Sequence, residues 1–332
     1  MSAKYTIPRN IVRCLLITFN LSITLLAIFV LFSHPLELLR SFRAAEYVTM
    51  TLTMIVYRWT LCLRMTHFKD IVESLRETYV KRTTKLWICA WAVASIAIQI
   101  FLFSNKFANL KKSTKSKILG FSIPEPYSGI LNYSYSVIIY IHFILALNIF
   151  SIYYVSVSYQ MRSKMFNYLE KISSRHVLKL NLLMQSYTRI SNMVEDMDDA
   201  LSFPMFCHTL YSAVSMYNVL AVTLNPGQNE LSTEALVHAN IFFLMTLQSF
   251  VAMAVSASSI SEASHRISKK IKSLSPDSLG SAFQLQRFIS MTEEGGLCLT
   301  LWKIVPIRRS FIFGALGTIF TYILLFRSTW SI

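Results

Sequence analysis

Apolar residues gather along this chain in seven long runs, Cys14–Phe32, Ala45–Leu63, Leu86–Phe103, Asn132–Ser158, Phe203–Leu224, Ala235–Ala257 and Ser310–Phe326, separated by polar and mostly basic segments. Each is close to the ~20 residues that carry an α-helix across a bilayer. In hydrocarbon every backbone N–H and C=O needs an internal partner, and the runs lack strand-like alternation, so the pattern predicts transmembrane helices. The expected fold class is an all-α membrane protein with seven transmembrane helices, forming one domain over residues 1–332.

The segments between the runs carry a second pattern. Met165, Leu169 and Ile172, then Leu180, Met184, Tyr187, Ile190, Val194 and Met197, recur every three or four residues and form one apolar stripe. Ile260, Ile267, Ile271 and Leu274 form another, broken at Ser275–Ser281 and resumed at Phe283, Phe288 and Ile289. These stretches predict helical extensions beyond the lipid whose apolar faces pack within one chain or between copies of it.

Charge sets the orientation. Of the 32 Lys and Arg, 23 fall on the side of the N-terminus, 8 on the other, and Arg58 lies within a span. Positive charge stays in the cytoplasm, so the N-terminus is expected inside and the C-terminus outside. The net charge of +15 follows from this topology; the cations are not interleaved with aromatics as on a nucleic-acid surface. With 54% apolar and only 15% charged residues the chain differs from soluble domains, which carry about 25% charge. The run after Lys4, Arg9 and Arg13 is too long for a signal h-region and lacks a small-residue cleavage site, so it reads as a retained span. Cys14, Cys62, Cys89, Cys207 and Cys298 show no metal-like spacing and read as small buried hydrophobes.

Catalytic signatures are missing: no HExxH, GxSxG or phosphate loop occurs, and neither metal nor cofactor is implied. The acidic cluster Glu195-Asp196-Met197-Asp198-Asp199 resembles half of a prenyltransferase magnesium site, but the required second aspartate-rich motif is lacking, so it reads as a solvated helix end. Asn132-Tyr133-Ser134 is a glycosylation sequon that hugs the expected outer membrane surface.

The most informative stretch is Gly295 to Ser310, with Trp302, Pro306, Arg308 and Arg309, leading into a last apolar helix that contains Thr321-Tyr322. Here the chain resembles the insect gustatory receptors, within the gustatory and odorant receptor superfamily, whose last helix carries Thr-Tyr, apolar residues, then Gln-Phe. Residues Thr321 to Phe326 fit that motif; Arg327, Ser328 and Thr329 depart from it. The resemblance implies a tetramer in which the last helices line a central cation pore and cytoplasmic helices make most inter-subunit contacts. On this reading residues 258–309 form the anchor, with Phe283, Phe288 and Ile289 between subunits. Thr321, Tyr322, Leu325, Phe326, Ser328 and Thr329 form the pore and gate, with Tyr322, Leu325 and Thr329 on the axial face. Arg327 steps about 100° away from that face, toward lipid head groups or a neighbouring subunit.

Polar residues within the spans include Glu46, Arg58, Gln99, His142, Asn148, His208 and Gln248. Such residues usually face a bundle interior or cavity, most often for interhelical hydrogen bonds. In the family that the chain resembles, ligands enter a pocket among the outer halves of the early spans and the sixth, and the resemblance therefore makes Gln99, His142 and Gln248 the candidate ligand-binding residues.

A G-protein-coupled receptor would have its N-terminus outside, against the charge bias, and a transporter would show broken helices and an internal repeat. The resemblance therefore implies a plasma-membrane chemosensory receptor acting as a ligand-gated, nonselective cation channel for a small-molecule tastant. Its partners would be the lipid bilayer and further subunits of a homo- or hetero-tetramer. The alternative is a divergent receptor-like protein of the same fold with altered or lost conductance.

Overall fold

A computed structural model of the chain describes residues 42–75, 86–94, 97–98, 117–118, 121–122, 145–173, 180–224, 233–274, 282–294 and 296–330. Two compact units form, one from Met1–Met65 with Gln99–Ala146 and one from Thr66–Ile98 with Leu147–Ile332. In the first, helix α1 (Phe42–Leu63) covers the second apolar run and buries Met54 and Tyr57. A two-residue ladder, β1 (Lys117–Ile118) with β2 (Phe121–Ser122), also belongs to it. The first run, Cys14–Phe32, lies outside the described residues.

The second unit is built from long helices. Helix α2 (Met65–Leu75) is followed by helical residues at 86–94 and 97–98. Then come α3 (Leu145–Ser173), α4 (Leu180–Leu224), α5 (Thr233–Lys272) and α6 (Ala282–Glu294). A small hairpin of β3 (Thr300–Leu301) and β4 (Val305–Pro306) leads into the last helix, α7 (Arg309–Trp330). Among the described residues one helical segment, Ala239–Lys272, is long and apolar enough by length and composition alone to cross a membrane.

Helix α4 joins the apolar stripe to the fifth apolar run in 45 unbroken residues, so the stripe is a continuation of a membrane-length helix. Its Leu180, Tyr187, Ile190, Val194 and Met197 are buried, as are Met165 and Ile172 on α3 and Ile260, Ile267 and Ile271 on α5. The helices outside the apolar runs are therefore sealed largely by their own chain. The Tyr168 hydroxyl donates to the Leu183 carbonyl at 2.9 Å, and the Tyr187 ring stands between Tyr168 (6.3 Å) and, edge-on, Phe288 of α6 (5.9 Å). Burying each such ring contributes about 1.5–3 kcal/mol. A Lys272–Glu293 ion pair ties α6 to the end of α5.

Candidate functional site

The chemistry concentrates where the β3–β4 hairpin meets α4. Pro204 lies inside that helix and cannot donate the backbone hydrogen bond that would close on the Ala200 carbonyl. Beside this gap the Trp302 N–H donates to the Ser202 carbonyl at 3.2 Å. The Trp302 indole lies 5.6 Å edge-on from Phe203 and 5.1 Å from Phe206, contacts worth about 0.5–1.5 kcal/mol each beyond area burial.

Nearly two helical turns before the proline, Asp198 accepts the Thr300 N–H at 2.6 Å through Oδ1 and the Thr300 hydroxyl at 2.8 Å through Oδ2. The neighbouring Asp199 pairs with Lys303. Partial burial raises the Asp198 carboxyl above its ordinary value, while the Thr300 hydrogen bonds and the Lys303 charge pull it back. The exposed Lys303 ammonium is in turn raised by its hydrogen bond to Asp199.

The hairpin needs such support because its turn is strained. Trp302 and Lys303 have φ of 47° and 58°, and the Ile304 N–H closes on the Leu301 carbonyl at 2.9 Å, a left-handed turn that favours Gly or Asn. Non-glycine residues there cost on the order of 1–3 kcal/mol each and persist only when their surroundings over-determine them. Asp198, Asp199, Ser202, Phe203 and Phe206 supply that determination.

On either side of the hairpin the chain is sewn to α5. The Leu297 N–H donates to Ser264 Oγ at 3.0 Å, and Arg309 grips Glu262 with Nη2 on Oε2 at 2.9 Å and Nε on Oε1. Phe311 then packs 6.0 Å from Phe250. Farther along, Ile319 rests on Met216 of α4 with Leu220, Phe243 and Leu247 around it. The opposite side of α7 is uncovered, exposing Phe313, Gly314, Gly317, Thr318, Phe320, Thr321 and Leu324. A Cβ added at Gly314 or Gly317 meets nothing within 4 Å, so no packing among the described residues requires these helix-weakening glycines.

The residues expected from sequence to form the site are only partly brought together. Thr321 is exposed on α7 and its hydroxyl donates to the Gly317 carbonyl at 2.8 Å, while Thr318 does the same to Gly314 at 2.9 Å. Tyr322, Leu325, Phe326, Ser328 and Thr329 continue the α7 backbone, and their side chains lie outside the described residues. Gln99 and His142 also lie outside them, and Gln248 is exposed on α5. His208 is buried in α4, with Nδ1 3.3 Å from Ser212 Oγ and its ring 6.3 Å from Phe150, and so serves a polar contact in the core. Of the three anchor residues, Phe288 is fully buried against its own chain, Ile289 is half-buried and Phe283 is 76% exposed.

The acidic cluster, expected at a solvated helix end, lies instead in mid-helix, and two of its carboxylates hold the hairpin. Spacing along the chain does not reveal the pairing of this acidic run with the Thr300–Lys303 stretch.

The fold is that of the insect olfactory receptors. The structure aligns with the insect olfactory receptor OR5 from Machilis hrabei with a TM-score of 0.69 at 12% identity, covering 98% of this chain and 91% of that one. With the same receptor in complex with eugenol the TM-score is 0.74 at 13% identity, covering 95% and 88%. No family model matches the sequence, and no curated protein matches it.

Proposed function

We propose that this protein is a chemosensory receptor of the gustatory and odorant receptor superfamily and that it is itself a ligand-gated, nonselective cation channel. The observation that carries the reading is the fold, shared over nearly the whole chain with a receptor solved in complex with a small organic molecule. The gustatory-like Thr321-Tyr322 in the last helix favours a tastant as ligand. Seven spans with the N-terminus inside are supported by the seven apolar runs and the charge bias, and a lipid surround by the exposed Leu86, Trp87, Val93 and Leu244.

In this reading four copies assemble in the plasma membrane around the last helix. The uncovered side of α7 supports this: Gly314, Gly317, Thr318 and Thr321 give it a narrow, weakly polar track, and helical register carries Leu325 and Ser328 onto the same side. Tyr322, Leu325 and Thr329, spaced three and four apart, then share the axial face, with Phe326 beside it. A ring of apolar residues at the level of Leu325 gates by dewetting. Ligand opens the channel by binding the open arrangement more tightly than the closed one.

The test is current recording and calcium imaging from cells expressing the chain alone, against panels of tastants and odorants. A ligand-evoked, weakly selective cation current supports the channel. Ligand binding with silence at confirmed surface expression favours the receptor-like alternative without conductance.

A further inference from the structure

A groove of about 990 Å³ opens beside the foot of α7, between the last turns of α5, the end of α6 and residues 296–298. Five cations line it. Two are neutralised locally, Arg309 by Glu262 and Lys272 by Glu293. The other three, Arg266, Lys269 and Arg308, are exposed, and Lys269 and Arg308 make no ion pair among the described residues. Arg266 is held over the Phe166 ring at 5.6 Å, which fixes its guanidinium at the rim. Among the described residues the groove therefore carries an unneutralised positive charge of about three, with Ser268 and Ser310 as further hydrogen-bonding groups.

Its position adds a second requirement. The cations end at Arg309 and the apolar helix begins at once, with Phe313 (77% exposed), Phe320 (55%) and Leu324 (64%) running up one side of α7 from the groove. That side is distinct from the small-residue track through Gly314, Thr318 and Thr321. A soluble anion would use the cations and leave the apolar strip bare. An amphiphile with an anionic head and acyl chains fits both.

We propose that this groove binds the headgroup of an anionic phospholipid bearing several phosphates, with its acyl chains along the Phe313–Phe320 side of α7. The inference rests on the membrane topology proposed above, which puts residues 258–309 at the cytoplasmic leaflet, where anionic lipids concentrate. A lipid held there joins α5, α6 and the start of the last helix.

The experiment uses the full chain purified in mild detergent and titrated with dioctanoyl phosphatidylinositol bisphosphate, dioctanoyl phosphatidylcholine and free inositol trisphosphate, read by native mass spectrometry. The expected result is saturable binding of the bisphosphate lipid alone. The Lys269→Ala/Arg308→Ala double variant weakens it on the order of tenfold or more, whereas Arg189→Ala, which removes an exposed cation elsewhere on α4, leaves it unchanged. Equal binding of inositol trisphosphate makes the occupant a soluble anion and overturns the lipid. Equal weakening by Arg189→Ala makes the attraction nonspecific and overturns the site. Loss of oligomers in the double variant makes the groove a subunit interface and overturns it as well. Detergent binding does not depend on sidedness. An epitope tag within residues 275–281, stained on intact cells, separately reports failure of the topology.

Discussion

Replacing Asp198 with alanine removes both acceptors of Thr300 and with them the main polar tie between α4 and the hairpin ahead of the last helix. Hydrogen bonds to an ionised group contribute about 1.5–3 kcal/mol each, and the half-exposed setting of Asp198 argues for the lower end, so the loss is about 3 kcal/mol. Asp198→Asn is the sharper test because geometry predicts a mild effect. Its Oδ1 still accepts the Thr300 N–H, and its Nδ2 now donates to Thr300 Oγ1, which turns from donor to acceptor. Only the charge assistance is lost, about 1 kcal/mol, partly offset because a carboxylate no longer has to be half-buried. Thr300→Val removes one of the two bonds and should fall between. Thermal unfolding of the detergent-solubilised protein, followed through tryptophan fluorescence, should rank the variants wild type, Asn, Val, Ala. If Asn and Ala unfold together, whether both near wild type or both far below it, the two-acceptor account of the hairpin seat is wrong.

The same residue gives a pH signature of unusual sign. A carboxyl whose folded-state pKa is raised favours the protonated form in the fold, so its contribution to stability is present below the unfolded pKa and is lost as pH rises through the folded one. Besides burial, Thr300, Lys303 and Asp199 are the groups that act on it. Wild type should therefore gain stability relative to Asp198→Asn as the pH is lowered from neutrality through the raised carboxyl range. A wild type that loses ground to Asn on acidification would mean that the Thr300 and Lys303 interactions outweigh burial.

Three further outcomes follow from the geometry. Lys303→Gly should stabilise the left-handed turn by up to about 1 kcal/mol in unfolding experiments, since the pair it sacrifices is exposed; net destabilisation would show that Asp199–Lys303 is the stronger term. Gly317→Ala should raise single-chain stability by about 0.5–1 kcal/mol yet reduce current or assembly on the proposed reading, because the added methyl meets nothing among the described residues; unchanged current and assembly would remove α7's open side from the proposed pore. Phe288→Ser should cost about 3–5 kcal/mol and abolish folded protein, whereas Phe283→Glu should leave the fold intact and weaken oligomers in native electrophoresis; an oligomer indifferent to Phe283→Glu excludes that ring from the interface.

Much of the helical layout is written in local pattern. The stripe from Leu180 to Met197 repeats at helical spacing, and α4 follows it into the next apolar run. The break expected at Ser275–Ser281 falls between α5 and α6. What pattern does not carry is what each face meets. Phe288 and Phe283 belong to the same apolar repeat, but one is sealed against Tyr187 and the other points outward, a distinction made by neighbours far away in sequence. The seat of the hairpin is the harder case. Asp198 and Thr300 are separated by 102 positions, and nothing near either residue marks the other. A strained turn at Trp302 and Lys303 is equally silent in the sequence, because both residues are ones the turn chemistry disfavours.

The hairpin seat and the Met216–Ile319 contact hold α7 against the rest of the chain at two levels, and their chemistry differs. The foot is fixed by directional hydrogen bonds that lose their strength within a fraction of an ångström. The upper contact is apolar, and apolar contacts slide at little cost. On the proposed reading, in which the channel gates near Leu325, opening should pivot α7 about its foot and shift it at Met216. Met216 is 1% exposed in a cluster of only a few residues, so Met216→Ala should cost about 2 kcal/mol, the low end for a buried methionine. If the contact exists only in the closed arrangement, that loss moves the gating equilibrium by about thirtyfold toward open. The effect is comparable to the 1–3 kcal/mol by which effectors usually couple to distant sites. Cells expressing Met216→Ala should then show ligand-independent cation current and respond at lower ligand concentration. A variant that unfolds more easily but keeps a silent baseline and an unchanged dose response would mean that α7 carries the Met216 contact through both states, and the pivot would have to lie elsewhere.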